Sequence, residues 1–178
     1  MSGTWRSKLP VAQDDQQLLS AVPRLRRYAR ALVRNREDAD DLVQDTLERA
    51  WTKSGLWRGV ADMRAWLFST MHNLHVDGLR RPQLATVALD DATPESPVAA
   101  THSERLEVLD LQAALALLPD AQKEVLLLVA LEDMAYADIA TTLDIPIGTV
   151  MSRLSRGRER LRTLMEGRAE PVHLKVVK

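Results

Sequence analysis

Five side chains near the end of the sequence share one face of a single predicted helix, and all of them can donate hydrogen bonds to nucleic acid. Their spacing of three and four residues brings them together once residues 146–161 are helical. Hydroxyl and guanidinium groups of this kind bind base edges and phosphates in the major groove of DNA. The five residues are Thr149, Ser152, Arg153, Arg156 and Arg160.

The residues just before this face predict a helix-turn-helix. Ile139, Ala140 and Leu143 fall on one side of a short helix, and the small Ala140 allows a second helix to pass closely. Asp144 occupies the turn, where a left-handed backbone is usual and where Asp is tolerated better than most residues. Pro146 fits the first turn of the second helix, because its missing N–H costs nothing there. The combination favours DNA binding over an ordinary helical hairpin with a solvated basic face.

Helical spacing continues through the rest of the chain, and no strand alternation or hairpin signal appears. Apolar residues recur at helical spacing along residues 18–34, 38–51, 64–79, 104–118 and 122–131. Residues 52–63 contain two glycines and no clear period, which predicts a loop. Residues 82–103 contain three prolines and no lysine or arginine, which is typical of an extended linker. We therefore expect an all-α fold in which two small helical domains are joined by a flexible acidic linker.

The domain limits follow from these breaks in pattern. We expect an N-terminal extension over residues 1–17, a first domain over 18–81, the linker over 82–103, a second domain over 104–166 and a polar tail over 167–178.

Composition excludes several classes of protein. The 178 residues are 46% hydrophobic and 28% charged, with a net charge of −1 and no cysteine, which rules out disulfides and thiolate metal sites. No apolar run approaches the roughly 18 residues of a membrane span. No secretion signal, phosphate loop or catalytic motif is present, and His72, His75 and Asp77 make only a weak metal-site candidate. We expect a cytoplasmic protein without membrane insertion that is not an enzyme and needs no cofactor or metal.

Two longer stretches carry a specific resemblance. "DADDLVQDTLERAW" (38–51), followed by "RAWLFSTMHNLHVDGLRR" (64–81), resembles conserved region 2 of bacterial extracytoplasmic-function (ECF) sigma factors. "LPDAQKEVLLLVALEDMAYADIATTLDIPIGTVMSRLSRGRERL" (118–161) resembles their region 4. The resemblance implies a promoter-specificity subunit of bacterial RNA polymerase, with core polymerase and promoter DNA as its partners.

In that family a helix of region 2 binds the clamp helices of the polymerase β′ subunit. The positions that match the contact residues are Asp41, Leu42, Gln44, Asp45 and Leu47. Carboxylates and an amide suit a basic partner, and charge complementarity of this kind steers docking more than it adds affinity.

Region 2 of the family also opens and reads the −10 element by capturing an unstacked base. The resemblance places Asn73 in this role, because a side-chain amide can both donate to and accept from a base edge. Single-strand capture also uses flat apolar surfaces and cations. The expected −10 residues are Trp57, Arg58, Arg64, Asn73, Arg80 and Arg81, whereas Trp51 and Trp66 are expected to pack in the core.

Region 4 of the family binds the −35 duplex and also contacts the β flap. The matching positions are Ser152, Arg153 and Arg156, with Thr149 near the start of the helix, and Arg160 lies on the same helical face. The sequence departs from the usual residues at three positions. Met151 replaces a usual Lys or Arg, Gly157 a usual Ala and Asp144 a usual Gly. Met151 removes one expected cationic contact, so the −35 preference of relatives does not transfer. Family members are commonly held inactive by an anti-sigma factor, which we include among the expected partners.

Two other functions remain open at this point. A stand-alone regulator would bind duplex DNA as a dimer, but no dimerisation heptad is present and residues 38–81 would have no role. A sigma mimic would bind an anti-sigma factor and no promoter, against which the basic face of the last helix argues. Reconstitution with core polymerase separates these functions.

Overall fold

The computed structural model describes residues 13–33, 35–53, 62–80 and 102–166, and within these ranges the chain forms seven α-helices and no strand. The predicted all-α fold is confirmed. The first three helices precede the gap at residues 81–101, and the last four follow it. The helices are α1 (Gln13–Leu32), α2 (Arg36–Thr52), α3 (Met63–Arg80), α4 (His102–Ala116), α5 (Asp120–Glu132), α6 (Tyr136–Thr142) and α7 (Ile147–Glu166).

Helix α2 begins at a side-chain cap. The Asn35 side chain accepts a 2.7 Å hydrogen bond from the backbone N–H of Asp38, and Glu37 lies beside it in the first turn. A cap of this type stabilises a helix by about 1 kcal/mol, and carboxylates near the N-terminus interact favourably with the helix dipole. These contacts stabilise the first turn of α2.

The first three helices pack around aromatic and aliphatic side chains. Tyr28 of α1 and Phe68 of α3 meet edge to face, with ring centroids 5.1 Å apart. Burial raises the pKa of Tyr28 well above its usual value, and the nearby carboxylates of Glu124 and Glu132 raise it further. Trp66 packs against this core as expected. The prediction for Trp51 was wrong, because its side chain is 66% exposed near the end of α2.

Helices α6 and α7 form the predicted helix-turn-helix. Asp144 has a φ of 51°, so the expected left-handed turn residue is confirmed. The turn closes through a 3.0 Å bond from Ile145 N–H to the Ala140 carbonyl. Pro146 stands immediately before α7 rather than within its first turn, and its carbonyl accepts from the N–H groups of Thr149 and Val150. A second left-handed residue, Asp133 at φ 50°, ends α5 and was not predicted.

The two halves of the chain pack directly on each other. Helix α5 lies against α1, and α6 lies against α3. Buried side chains from both halves, including Leu25, Met71, Val125 and Leu128, belong to one continuous hydrophobic cluster. Two separate helical units had been expected, and their direct contact was not. The predicted linker falls almost entirely on residues 81–101, outside the described residues. None of the described helices has the length and hydropathy needed to cross a membrane.

Candidate nucleic-acid and protein interfaces

One side of α2 is an exposed acidic face. Asp41, Gln44 and Asp45 are exposed because the residues that α2 buries lie on its opposite side. Glu48 continues the same face one turn further along, at the i, i+3 and i, i+4 spacing that the sequence already contains. In the described part of the chain neither Asp41 nor Asp45 forms an ion pair. Their carboxylates are therefore available to a basic partner.

The two leucines expected on this face behave differently from the acids. Leu42 is only 9% exposed and lies in the core, so it supports α2 from inside and does not present area to a partner. Leu47 is half-buried and packs against the core. Trp51 instead supplies exposed apolar area near this face. The helical period already places Trp51 beside the acidic residues. It was predicted to be a core residue because it is aromatic and lies at helical spacing with other apolar residues.

The donors of α7 lie together on one flank of the helix. Arg156 and Arg160 are exposed one turn apart, and Thr149, Ser152 and Arg153 are half-buried beside them. The adjacent side of α7 is held by buried Val150, Leu154 and Gly157, so the orientation of the donor flank is fixed by packing. Because α7 is the second helix of the helix-turn-helix, this flank has the geometry for entering a major groove.

The other flank of α7 is more apolar. Ile147 and Met151, one turn apart, are both large and about half exposed. A cleft of about 470 Å³ adjoins Met151 and is lined also by Tyr136, Arg158 and Arg162. Met151 and Arg153, two residues apart, lie on opposite flanks because consecutive residues turn by about 100°. Met151, which replaces the usual Lys or Arg, therefore changes only the apolar flank of α7 and leaves the donor flank intact.

Helix α3 separates the expected −10 residues. Asn73 and Arg80, seven positions apart, lie on one exposed face. Arg64 lies at the start of α3 on its opposite side, where its Nη1 donates a 3.0 Å hydrogen bond to the backbone carbonyl of Glu132. The structure therefore brings Asn73 and Arg80 together and turns Arg64 toward the second half of the chain. Trp57, Arg58 and Arg81 lie outside the described residues.

Metal-ligand candidates on α3 do not assemble into a cluster. No group of three or more His, Asp or Glu side chains with metal-binding geometry occurs among the described residues. His72 Nδ1 instead lies 2.7 Å from Glu124 Oε1 of α5. His75 is buried, and this burial lowers its pKa despite the opposing effect of Glu124 and Asp120.

A charged contact between the two halves was missed by sequence reasoning. Arg24 and Arg27 of α1 pair with the buried carboxylate of Glu132 at 2.8 and 3.4 Å. The sequence holds one signal for it: α5 carries Lys123, Glu124 and Glu132 within an otherwise apolar stretch, and buried charges require partners. That signal does not identify the partners, which are distant along the chain.

In the described part of the chain every regular element is a helix, and these helices combine a helix-turn-helix with a separate exposed acidic face. Residues 18–72 match the sigma2 domain of PhyR, and residues 109–161 match region 4 of sigma-70. The chain is 34% identical over 152 residues to the ECF RNA polymerase sigma factor EcfG of Rhodopseudomonas palustris, covering 83% of this chain and 82% of that protein. It is 35% identical over 142 residues to the ECF RNA polymerase sigma factor SigM of Mycobacterium tuberculosis, covering 79% of this chain and 71% of that protein.

Solved structures give the same result. The sigma factor RpoE of Bartonella quintana, in complex with the anti-sigma factor NepR, superposes with a TM-score of 0.72 at 29% identity, covering 86% of this chain and 96% of that chain. CnrH in complex with the cytosolic domain of CnrY gives a TM-score of 0.64 at 26% identity, covering 85% and 86% of the two chains. The chain belongs to the ECF RNA polymerase sigma factors, which are transcription initiation factors and not enzymes.

Proposed function

We propose that this chain directs promoter-specific transcription initiation. In this proposal residues 18–81 bind core RNA polymerase, and both halves of the chain bind the promoter. The observation that carries the proposal is the presence, on one chain, of an exposed acidic face on α2 and an outward arginine flank on α7. Each surface requires a different partner, a basic protein surface for the first and duplex DNA for the second. A sigma factor uses both at once, and it works where the polymerase is, in the cytoplasm.

Asp41, Gln44 and Asp45 bind the β′ clamp helices in this proposal. They are exposed, and Leu47 and Trp51 border them with apolar area. The acids steer the encounter with a basic surface, and the apolar border adds buried area in the complex. Leu42 contributes indirectly by holding α2 against the core.

Asn73 and Arg80 form the described part of the −10 surface, and Trp57, Arg58 and Arg81 complete it. Their shared face supports the assignment of the first two residues. Arg64 belongs to this surface only when it is released from the Glu132 carbonyl.

Residues 104–166 supply the −35 reader and the contact with the β flap. Arg156 and Arg160 are the most exposed donors of α7, and Thr149, Ser152 and Arg153 flank them. Guanidinium groups bind guanine edges and phosphates, and hydroxyl groups bind base edges or phosphates.

An anti-sigma factor is the proposed regulator. One structure with the same fold is of a sigma factor bound to the anti-sigma factor NepR, and a second is of CnrH bound to the cytosolic domain of CnrY. The chain therefore has the architecture on which such inhibitors act. Co-purification of the tagged chain from its own cells tests whether one is bound.

Reconstitution with core polymerase is the decisive test. The purified chain with core polymerase should initiate at specific promoters selected from genomic DNA, and neither component should do so alone. Tight sequence-specific footprints by the chain without polymerase would point to a stand-alone regulator. Binding to an anti-sigma factor without any promoter activity would point to a sigma mimic.

Asp45→Arg tests the docking face. The change places a cation opposite a basic partner, so the affinity for core polymerase should fall at least tenfold in a pull-down or fluorescence titration. Glu107→Arg makes the same charge change on exposed α4 and serves as the matched control. Unchanged affinity of Asp45→Arg would show that the clamp helices bind elsewhere.

A further inference from the structure

Two large apolar side chains are exposed at the start of α7. Ile147, the first residue of the helix, is 49% exposed, and Met151, one turn further along, is 54% exposed. Among the described residues of α6 and α7 they are the only large apolar side chains exposed to this degree. Val150 and Leu154, close to them in sequence, are buried and hold α7 on the rest of the fold. Core packing therefore does not explain why Ile147 and Met151 are apolar.

Gly148 leaves the surface beside this apolar pair open. Outside the backbone of its own helix and its two neighbours in the chain, no atom lies within 4 Å of the position that a Cβ would take. The residues three and four positions further on are Met151 and Ser152, so the bare backbone adjoins both the thioether and the hydroxyl. A partner can therefore approach the first turn of α7 closely and contact the Met151 side chain there.

Met151 lies where a helix-turn-helix reads base edges. In such proteins the N-terminal residues of the second helix contact the bases in the major groove. Met151 is the fifth residue of α7, and Arg156 of the donor flank follows five residues later. That separation is about 7.5 Å along the helix axis, or about two base-pair steps. The major groove is about 12 Å wide, close to the diameter of a helix with its side chains, so both flanks of α7 face the duplex.

An apolar side chain in the major groove has one preferred target. The base edges there present polar nitrogen and oxygen atoms, and the C5 methyl of thymine is the apolar group among them. A thioether placed against the edge of a G·C pair would remove water from polar atoms without replacing their hydrogen bonds, which costs free energy. Methionine is also unbranched and polarizable, so its side chain adapts to the shape of a neighbouring group.

We propose that Met151, bordered by Ile147, contacts the C5 methyl of a thymine in the −35 element and so selects an A·T pair at one position. The proposal rests on the assigned sigma function, because it names a base bound at the same DNA-binding surface. The guanidinium groups of the donor flank attract DNA of any sequence through its phosphates, whereas the methyl contact depends on the base. Met151 is therefore a specificity-determining residue of the −35 reader.

A partner protein on this flank fits the observations less well. A stable protein interface uses about 20–30 residues a side, and the large apolar groups exposed on this flank are two side chains. The adjoining cleft does not supply strong charge either. Arg162, one of its two arginines, pairs with Glu159 at 2.7 Å and with Glu166 at 4.0 Å. Both observations favour DNA as the group that covers Met151.

Deoxyuridine tests the proposal, because it is thymidine without the C5 methyl. Polymerase holoenzyme formed with the full chain first selects promoters from genomic DNA, and each −35 thymine of one promoter is then replaced singly by deoxyuridine. Competition binding measures the affinity of the holoenzyme for each DNA. At one thymine the replacement should weaken wild-type binding about fourfold, the loss expected for one buried methyl group. The same replacement should leave the affinity of Met151→Ala holoenzyme unchanged.

Three further variants make the comparison specific. Met151→Leu keeps an apolar side chain and should keep the deoxyuridine loss at the same position. Met151→Lys should abolish it, because a cation binds phosphate whether or not the methyl is present. Arg156→Ala is the matched control, which should bind both DNAs more weakly and keep the ratio between them. 5-Methylcytosine is a second probe at that position, and wild-type holoenzyme should prefer it to cytosine whereas Met151→Ala should not.

The outcomes are distinct. A −35 element in which no thymine methyl depends on Met151 overturns the proposal. A loss of affinity in Met151→Ala that is equal for thymine and deoxyuridine also overturns it, and assigns this flank to a protein or to the DNA backbone. A holoenzyme that selects no promoter would refute the sigma assignment together with the reading of a −35 base. Promoter selection without methyl dependence would refute only the role of Met151.

Discussion

Arg156 is the residue on which −35 recognition depends most directly. It is exposed at the centre of the donor flank of α7. Arg156→Ala should weaken the promoter complex by about 1–3 kcal/mol if the guanidinium binds a base edge. The control is Arg158→Ala, an exposed arginine beside the Met151 cleft. Competition binding with promoters altered in the −35 element measures both, and equal losses for the two variants would assign Arg156 to nonspecific attraction.

His75 makes stability depend on pH. Burial lowers its folded pKa below the usual 6.5, and Lys123 and His72 lower it further, against the raising effect of Glu124 and Asp120. Its Nε2 has no hydrogen-bond partner among the described residues, so no hydrogen bond at that atom stabilises the protonated ring. The unfolded chain then binds more protons just below pH 6.5. Stability should therefore be constant above that pH and fall as the pH drops from 6.5 toward the lowered pKa.

Thermal unfolding between pH 7.5 and 5.5 checks this expectation. His75→Met should flatten the lower part of the profile, because each unit of pKa shift is worth about 1.36 kcal/mol. His102→Gln is the control, at the first residue of α4. If His75→Met leaves the pH profile unchanged, groups other than His75 cause the loss of stability at acid pH.

At the scale of the helices, Gly157 lies where α7 packs against α5. A Cβ there would lie 3.2 Å from Leu126 Cδ1 and 3.4 Å from the Gln122 carbonyl. The first atom is the end of a half-buried side chain that can give way, and alanine gains about 1 kcal/mol of helix propensity over glycine. Gly157→Ala should thus change the free energy of unfolding by less than about 1 kcal/mol.

Gly157→Val provides the contrast. Its two extra methyl groups enter the same gap, and overpacking of this kind costs about 1–3 kcal/mol. Chemical denaturation of the two variants measures the difference. Equal stability of alanine and valine would show that α5 and α7 are more loosely packed than the 3.2 Å contact indicates.

The helices themselves were predictable because their evidence is local. Periodic apolar residues placed most of the helices close to their observed limits, and the Asp144 turn followed from the tolerance of Asp for a left-handed backbone. Helix α1 is the exception, because it begins at Gln13, inside the predicted N-terminal extension of residues 1–17. The burial of Lys123 and Glu132 was not predictable, because their partners lie about a hundred positions away. The prediction that Trp51 packs in the core failed for a related reason. Helical period identifies an apolar side, but the packing of other helices decides which apolar groups are covered.

At the scale of the whole molecule, the shared hydrophobic cluster predicts coupled unfolding. All four tryptophans lie in residues 1–81, so their fluorescence follows the first half, whereas circular dichroism follows every helix. The two signals should coincide in one transition for the wild type. Arg24→Ala with Arg27→Ala should separate them, since removing the partners of a buried charge weakens the joint between the halves. Separate wild-type transitions would mean that the halves unfold independently.

The long sequence separation of the contacts between the two halves also sets an order of events during synthesis. Arg27 and Leu131 are 104 residues apart, and ribosomes add about 5–20 residues per second, so the first half waits roughly 5–20 s for its counterpart. During that interval Arg24 and Arg27 lack the Glu132 carboxylate with which they pair in the folded chain. Each newly made molecule therefore passes through a stage in which the core-facing surface of its first half is exposed to solvent and to other proteins. That surface is covered only when the second half has been synthesised and packs against it.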